Sequence, residues 1–211
     1  MKVCEERKLA LVADEVFADY ALAPDPIAED AGARVRSHAG ANRALTFTLS
    51  GLSKISALPQ MKLAWLVVSG PEALMRDALA RLEIIADTYL SVSAPLAHAL
   101  PKLLETRKPI QEQILARVRS NLSRLDAHLA KGSAASRREV EGGWYAVLRL
   151  PRTRSDEEWA IRFVREDGVL AHPGHFFEFA SDVFLVISLL PRTEMFEDGI
   201  GRILSRVAKE S

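Results

Sequence analysis

The chain has 211 residues, 48% of them hydrophobic, which allows one large globular domain or two smaller ones. Lysine plus arginine and aspartate plus glutamate both total 28, so the formal net charge is zero, and neither nucleic acid nor a membrane surface is expected as a partner. The single cysteine, Cys4, excludes an internal disulfide framework, and no apolar run reaches the roughly 18 residues that a membrane span needs. The chain begins with a charged stretch, residues 1–8, that lacks an apolar signal core, so we expect a cytoplasmic protein.

Two short apolar runs in the first region end in chemically reactive side chains. Leu9 to Ala13 is too short and too continuous for an amphipathic helix and predicts a fully buried strand that ends at Asp14. Leu45 to Leu49 alternates and is rich in β-branched and aromatic residues, which predicts a second strand. It leads into a loop at residues 50–54 that presents Lys54. Because both strands end in a charged group, we expect a site at the carboxyl edge of a sheet.

The first strand begins almost at once, at Leu9. This predicts either a short N-terminal arm ahead of the strand or a piece of a longer protein. Between the two strands, prolines and glycines in residues 21–43 predict a surface excursion with one short helix around Ile27 to Val35. Leu63 to Val68 predicts a third buried strand.

From Pro71 onward the spacing of apolar residues becomes helical. Helices are predicted to open at Pro71, at Ser93 and at Pro109, with proline in the first turn. After a break at residues 131–136, shorter elements alternate. We predict strands at 143–150, 169–171 and 184–190, a helix over 156–165 capped by Ser155, and a final helix from Thr193 to Lys209.

These elements predict an α/β region that carries part of a mixed sheet, followed by a small α+β domain. The division that we expect places residues 1–92 in the first region, 93–131 in linking helices and 132–211 in the second. The five histidines show no spacing typical of a metal site, and we find no nucleophile elbow and no glycine-rich nucleotide fingerprint.

The order of the motifs resembles the class I/II aminotransferases, the fold type I pyridoxal phosphate (PLP) enzymes. Residues 14–17, Asp-Glu-Val-Phe, are similar to their aspartate motif, and residues 50–65 are similar to their lysine motif. Residues 142–145, 172–174 and 184–189 are similar to later pieces of the same family. The resemblance covers nearly the whole chain and implies the carboxyl-terminal part of that fold, with residues 1–92 as the remainder of the cofactor-binding large domain.

The resemblance also implies a role for each site residue. Lys54 is the catalytic residue that forms the imine with the aldehyde of pyridoxal 5'-phosphate and moves the α-proton of the substrate. Asp14 pairs with the pyridine nitrogen of the cofactor, which makes the ring an electron sink. Ser50 and Ser53 donate hydrogen bonds to the phosphate, and Lys62 stands where the family usually has an arginine. On spacing alone, Asp14 also fits a turn or helix-cap acid and Lys54 a surface lysine.

Several residues depart from the family pattern. Phe17 replaces a tyrosine, so it can pack against the cofactor but cannot donate to it. Lys62 is a point charge where an arginine would offer a bidentate fork, and Gln60 stands where glycine is common.

Val186 stands where the family has the arginine that binds the substrate carboxylate, for which Arg149 or Arg192 could substitute. The family's glycine-rich phosphate cradle and ring-stacking aromatic belong to a first half that this chain lacks. We therefore expect a fragment of a homodimeric aminotransferase, acting on an amino acid and a 2-oxo acid, that is inactive alone. A non-catalytic regulatory or dimerisation module and a lyase on the same fold stay open.

Overall fold

The computed structural model describes residues 1–22, 37–179 and 183–211, which form two compact units, Met1–Glu112 (unit 1) and Gln113–Ser211 (unit 2). The helix predicted around Ile27 to Val35 lies outside the described residues. The three-part division of the chain stays a prediction. No helix within the described ranges is long and apolar enough to cross a membrane.

Unit 1 contains a three-stranded sheet in the order β1-β2-β3. Strand β1 (Leu11–Asp14) runs parallel to β2 (Thr46–Gly51), and β3 (Ala64–Ser69) runs antiparallel to β2. A short helix, α1 (Lys2–Glu6), precedes β1. In the register of the parallel pair Asp14 lies beside Leu49, so both strands finish at the same edge of the sheet, as predicted.

The two faces of this sheet differ from the sequence prediction. Residues opposite one another share a face, so Thr46 and Ser69 lie on one face, and Val12 and Phe47 on the other. At these positions the face with the polar side chains is the more buried one, since Thr46 is fully buried and Ser69 nearly so, whereas Val12 is 62% exposed.

The prediction of a fully buried first strand beginning at Leu9 is therefore wrong. Leu9 is itself exposed, and β1 is an edge strand among the described residues, with a neighbour on one side only. The prediction of a buried third strand is also wrong, because Leu66 and Val67 of β3 are more than one-third exposed. Apolar content signals a strand, but burial depends on whether another layer covers it.

The three central helices are confirmed. They are α3 (Glu72–Asp87), α4 (Ala94–Glu105) and α5 (Arg107–Leu129), preceded in the chain by α2 (Leu52–Ile55), a single turn after β2. Pro71 is the N-cap residue of α3 rather than a member of its first turn. The boundary between the two units falls within α5.

Unit 2 contains a four-stranded antiparallel sheet in the order β4-β5-β7-β6. Its strands are β4 (Ser136–Arg137), β5 (Tyr145–Arg149), β6 (His172–Pro173) and β7 (Phe184–Ser188). The strands predicted near β5 and β7 are confirmed with shorter ends. The strand predicted at 169–171 is displaced to His172–Pro173, which are the residues that pair with β7.

Helices α6 (Asp156–Arg162) and α7 (Thr193–Glu210) complete unit 2. The predicted Ser155 cap is present as a capping box, in which Ser155 Oγ accepts the Glu158 N–H and the Glu158 carboxylate accepts the Ser155 N–H. Helix α6 continues as a π-helical turn, Phe163–Asp167.

The core of unit 2 is apolar and closely filled. Its fully buried side chains include Trp159, Phe163, Leu148, Leu185 and Val207. One polar residue joins them, because Asn121 of α5 is fully buried and its Nδ2 donates 2.9 Å hydrogen bonds to the carbonyls of Leu189 and Pro191. These bonds fix the chain where it leaves β7.

Candidate functional site

Lys54 lies on α2, at the point where β2 ends. The sequence predicted a loop here, and that prediction is wrong, since residues 52–55 form one helical turn. The turn begins against β3, because a Cβ on Gly51 would come within 3.0 Å of the Ala64 Cα and the Leu63 carbonyl oxygen. Leu52 is fully buried, and its N–H donates to that carbonyl at 3.0 Å. Glycine at position 51 therefore allows the close approach that sets the start of α2.

The other end of α2 is held by side chains from distant parts of unit 1. The Tyr20 hydroxyl donates to the Lys54 carbonyl oxygen at 2.7 Å. Gln111 Nε2 donates to the Ile55 carbonyl oxygen at 2.8 Å and also to Asp19 Oδ2 at 2.8 Å. Because an isolated single turn is unstable in water, these bonds explain why α2 persists.

The Lys54 amine lies over an aromatic ring. Its Nζ is 5.5 Å from the centroid of Phe17, within the range of a cation–π contact. The Phe17 ring in turn meets Tyr20 edge-on, with 6.4 Å between centroids. The segment that follows β1 therefore lies against the side chain and the backbone of the lysine.

Asp14 is the last residue of β1 and is exposed. Its Oδ1 accepts the Val16 N–H at 3.2 Å, as in an Asx-turn, so the turn role considered from the sequence is present. The neighbouring Glu15 accepts hydrogen bonds from Ser37 Oγ at 2.7 Å and from the His38 N–H at 2.6 Å. Asp14 is thus held at the carboxyl edge with its carboxylate reachable from solvent.

The three predicted phosphate ligands lie in different settings. Ser50 is the second-to-last residue of β2, and its Oγ is buried with no hydrogen-bond partner among the described residues. Ser53 is half-buried on α2. Lys62 is exposed, in a left-handed conformation (φ 52°), and follows the short 3₁₀ turn Pro59–Met61. In the alternation of β2, Ser50 projects from the face opposite to Leu49 and Asp14.

Burial controls the ionisation of Tyr20. The desolvation of its hydroxyl, with the adjacent charge of Asp19 adding to the effect, raises the pKa of Tyr20 to about 12. The phenol therefore stays protonated, and remains a hydrogen-bond donor, at any physiological pH.

Sequence reasoning missed both Tyr20 and Gln111. Tyr20 had a weak signal, because it lies three residues after Phe17 in the same short segment. Gln111 had none, since the bond from its amide to Ile55 joins residues 56 positions apart. Only the fold brings them together.

The position predicted for a substrate-binding arginine is apolar in the structure. Val186 is buried in the centre of β7, opposite Val147 on one side and His172 on the other. The two candidate substitutes, Arg149 and Arg192, lie at the end of β5 and directly before α7.

Unit 2 also contains a histidine–carboxylate pair. His175 Nδ1 lies 3.2 Å from Asp156 Oδ2, which also accepts the His175 N–H at 2.7 Å. Partial burial raises the pKa of Asp156, but the hydrogen bonds from His175 and Glu157 outweigh it, and the net pKa is lowered. Within the part of the chain that the structure describes, no group of three or more His, Cys, Asp or Glu side chains is arranged to hold a metal ion.

Comparisons with known proteins agree with this architecture. The family model "Aminotransferase class I and II" matches residues 1–203. Glutamate-pyruvate aminotransferase AlaA of Haemophilus influenzae is 24% identical over 209 residues, which are 96% of this chain and 50% of the relative. The same enzyme of Escherichia coli is 23% identical over 203 residues, 93% of this chain and 48% of the relative.

Solved structures share the fold at low sequence identity. Tyrosine aminotransferase from Leishmania infantum has a TM-score of 0.83 at 17% identity, covering 100% of this chain and 51% of its own. An aminotransferase from Escherichia coli has a TM-score of 0.80 at 19% identity, covering 98% and 51%. A PLP-bound protein from Clostridium difficile 630 has a TM-score of 0.74 at 17% identity, covering 98% and 52%.

The chain spans about half the length of the curated relatives that it matches. The resemblance inferred from the motifs and the predicted fold class are both confirmed. The chain belongs to the class I and II aminotransferase family.

Proposed function

We propose that this chain forms the carboxyl-terminal half of a PLP-dependent aminotransferase, which transfers an amino group between an amino acid and a 2-oxo acid. The observation that carries the proposal is the position of Lys54, whose amine lies over Phe17 on a turn that begins at the carboxyl edge shared by β1 and β2. Family membership and the half-length match to glutamate-pyruvate aminotransferases support it.

The side chains of unit 1 fit the chemistry of pyridoxal 5'-phosphate. Lys54 offers a primary amine for its aldehyde, and Asp14 offers an exposed carboxylate for its ring nitrogen. The buried Ser50 Oγ lacks a partner among the described residues, as expected of a group that a ligand completes. When bound, the cofactor supplies an electron-withdrawing ring that stabilises negative charge at the substrate α-carbon.

The proposal assigns a role to each residue. The Lys54 amine would hold the cofactor and would move a proton at the substrate α-carbon. Asp14 holds a proton on the ring nitrogen, Phe17 packs below the lysine amine, and Ser50, Ser53 and Lys62 contribute to phosphate binding.

Lys62 would bind the phosphate with little directionality. Its side chain is exposed and its backbone is left-handed, which is an uncommon state for a residue with a Cβ. A single ammonium also offers less directional binding than the arginine it replaces. We infer that Lys62 stabilises the phosphate by its charge rather than by directional hydrogen bonds.

The same proposal holds that the 211 residues are catalytically inactive alone and that the complete enzyme is a cytoplasmic homodimer. The inactivity follows from the half-length match to the relatives. Sedimentation of the complete protein tests the dimer, and a monomer at micromolar concentration would contradict it.

Two observations favour a second candidate, a non-catalytic aminotransferase-like module. Val186 gives the centre of β7 no cation for a substrate carboxylate, and Phe17 has no hydroxyl for the cofactor. A complete protein that captures pyridoxal phosphate at Lys54 but turns over no amino acid would support this candidate.

The experiment that tests the proposal is covalent capture. The purified chain is incubated with pyridoxal phosphate, reduced with borohydride and mapped by mass spectrometry. We expect preferential labelling of Lys54 over exposed lysines such as Lys102, and no labelling at this site in Lys54→Ala. The matched control, Lys102→Ala, keeps the Lys54 label.

Two results would contradict the proposal. Uniform labelling of all lysines would remove the special role of Lys54. Transamination by the isolated 211-residue chain would contradict its inactivity.

A further inference from the structure

A one-turn helix is an unstable platform for a reactive lysine. Helix α2 has four residues, and nucleation of a single turn fixes several dihedral angles for one hydrogen bond. The chain leaves the helix at Ser56, and the Lys54 carbonyl oxygen accepts the Ala57 N–H in a long bond of 3.3 Å. The direction of the Lys54 side chain therefore also depends on the side chains that donate to the last carbonyl groups of α2.

Tyr20 holds the lysine from two sides. It is fully buried, and its hydroxyl donates to the Lys54 carbonyl oxygen at 2.7 Å. The same ring packs edge-on against Phe17, the aromatic surface below the Lys54 amine. One side chain thus contacts both the backbone of the lysine and the ring on which its amine rests.

Gln111 holds the next carbonyl. Its amide donates to the Ile55 carbonyl oxygen and to Asp19 Oδ2, both at 2.8 Å. Because Asp19 adjoins Tyr20 in sequence, this amide joins three segments of unit 1 around the end of α2. The two donors lie 34 and 56 positions away from the carbonyl groups that they hold, so these hydrogen bonds form only in the folded unit.

We propose that Tyr20 and Gln111 are positioning residues that hold the Lys54 turn in the orientation needed to react with the cofactor aldehyde. The inference rests on the proposed function of Lys54. Neither side chain is assigned contact with substrate or cofactor, and both act through the backbone of α2. A reaction between a bound aldehyde and an amine requires the amine within attack distance and correctly directed, so a loosened turn slows it.

The first readout needs no cofactor. The amide N–H groups of Ser56 and Leu58 donate to the Leu52 carbonyl, and that of Ala57 donates to the Lys54 carbonyl, so their hydrogen exchange reports opening of the turn. Tyr20→Phe removes one hydrogen bond and is expected to speed hydrogen exchange at these three amides roughly tenfold. Gln111→Met, which keeps the side-chain length but has no donor, is expected to act in the same direction.

The second readout is the ratio of borohydride-trapped pyridoxal phosphate at Lys54 to that at Lys102 in the same sample. We expect this ratio to fall about fivefold to tenfold in either variant, while the thermal midpoint of the chain falls by only about 5 °C. The matched control is Tyr89→Phe, which removes the same hydroxyl from a residue that is 74% exposed. It leaves both readouts unchanged.

The outcomes separate the two claims. Faster hydrogen exchange with an unchanged labelling ratio would show that the two residues stabilise α2 without positioning Lys54, and it would overturn the inference. No change in either readout would also overturn it. If the parent chain shows no preference for Lys54, the proposed function fails instead. In that case the exchange data alone still decide whether Tyr20 and Gln111 hold α2.

Discussion

The two units bury their sheets in opposite ways. In unit 2 the strand β7 is buried through Ile187, and the side chains around it are large and apolar. In unit 1 the buried face of the sheet carries Thr46 and Thr48, and the apolar face is partly exposed. The proposed site lies in unit 1. The groups proposed to react therefore belong to the unit in which hydrogen bonds from Tyr20 and Gln111 hold α2.

The largest effect is expected from truncation of the unit 2 core. Trp159 is fully buried and stacks on Phe163 with 5.5 Å between centroids, so Trp159→Ala should lower the free energy of unfolding by about 3–5 kcal/mol. The control in unit 1, Ile84→Ala, removes a side chain that is 70% exposed and should change it by less than about 0.5 kcal/mol. Denaturant unfolding measures both. Equal losses of unfolding free energy in the two variants would contradict the contrast between the units.

The next effect concerns the close approach of β2 and β3. A Cβ at Gly51 would meet backbone atoms at 3.0 Å, so Gly51→Ala should cost about 1–3 kcal/mol and loosen the start of α2. Gly201 of α7 has nothing within 4 Å of its would-be Cβ, so Gly201→Ala should instead stabilise the chain by about 0.5–1 kcal/mol. Thermal unfolding should show a lower midpoint for Gly51→Ala and a higher midpoint for Gly201→Ala. Destabilisation by both variants would show that the approach at Gly51 is not what matters.

Part of the pH dependence of unit 2 should come from two carboxylates in the first turn of α6. Hydrogen bonds from Ser155 lower the pKa of Glu158, and His175 contributes to the lowered pKa of Asp156. Because both carboxylates have lower pKa values folded than unfolded, their stabilisation is present above pH of about 4 and is lost as the pH falls through the folded pKa values.

Thermal midpoints measured between pH 7 and pH 2 test this dependence. Glu158→Gln should lower the midpoint at pH 7 and flatten its fall on acidification, whereas Glu141→Gln, at an exposed position of the same unit, should leave the curve unchanged. An acid-induced loss that is identical in Glu158→Gln and the parent would contradict the assignment.

The smallest effect is expected just after α2. Ala57 has a left-handed backbone (φ 52°), which costs a residue with a Cβ about 1–2 kcal/mol. Ala57→Gly removes that cost but gains chain entropy in the unfolded state, so the net stabilisation should be below about 1 kcal/mol. Ala116→Gly, at an exposed position inside α5, should destabilise by about 1 kcal/mol. Denaturant midpoints compare the two.

The sequence predicted the elements that local signals specify. The capping box at Ser155 follows from four adjacent residues, and β2 follows from its own alternation. Such elements can be predicted from the sequence, because residues adjacent in the chain contain the whole signal for them.

The sequence did not predict what depends on other layers or distant donors. The apolar side chain of Val12 predicts a core residue, but Val12 is exposed. The residues of β1 alone do not determine whether another layer covers the strand. Residues 52–55 read as a loop but form α2, because its stability comes from Tyr20 and from Gln111, which lies more than 50 positions away. The positions of Asp14 and Lys54 at the ends of two strands were therefore predictable from the sequence, whereas the contacts that hold Lys54 were not.

In the proposed site, Lys54 and Asp14 bind opposite ends of one aromatic cofactor. The most direct test uses pyridoxal phosphate labelled with ¹⁵N in its ring, fixed to Lys54 by borohydride reduction, and follows the ring nitrogen by NMR across pH. We expect that this nitrogen keeps its proton to higher pH than in the reduced cofactor free in solution, and that Asp14→Asn abolishes the difference. An identical titration in the parent chain and in Asp14→Asn would contradict it.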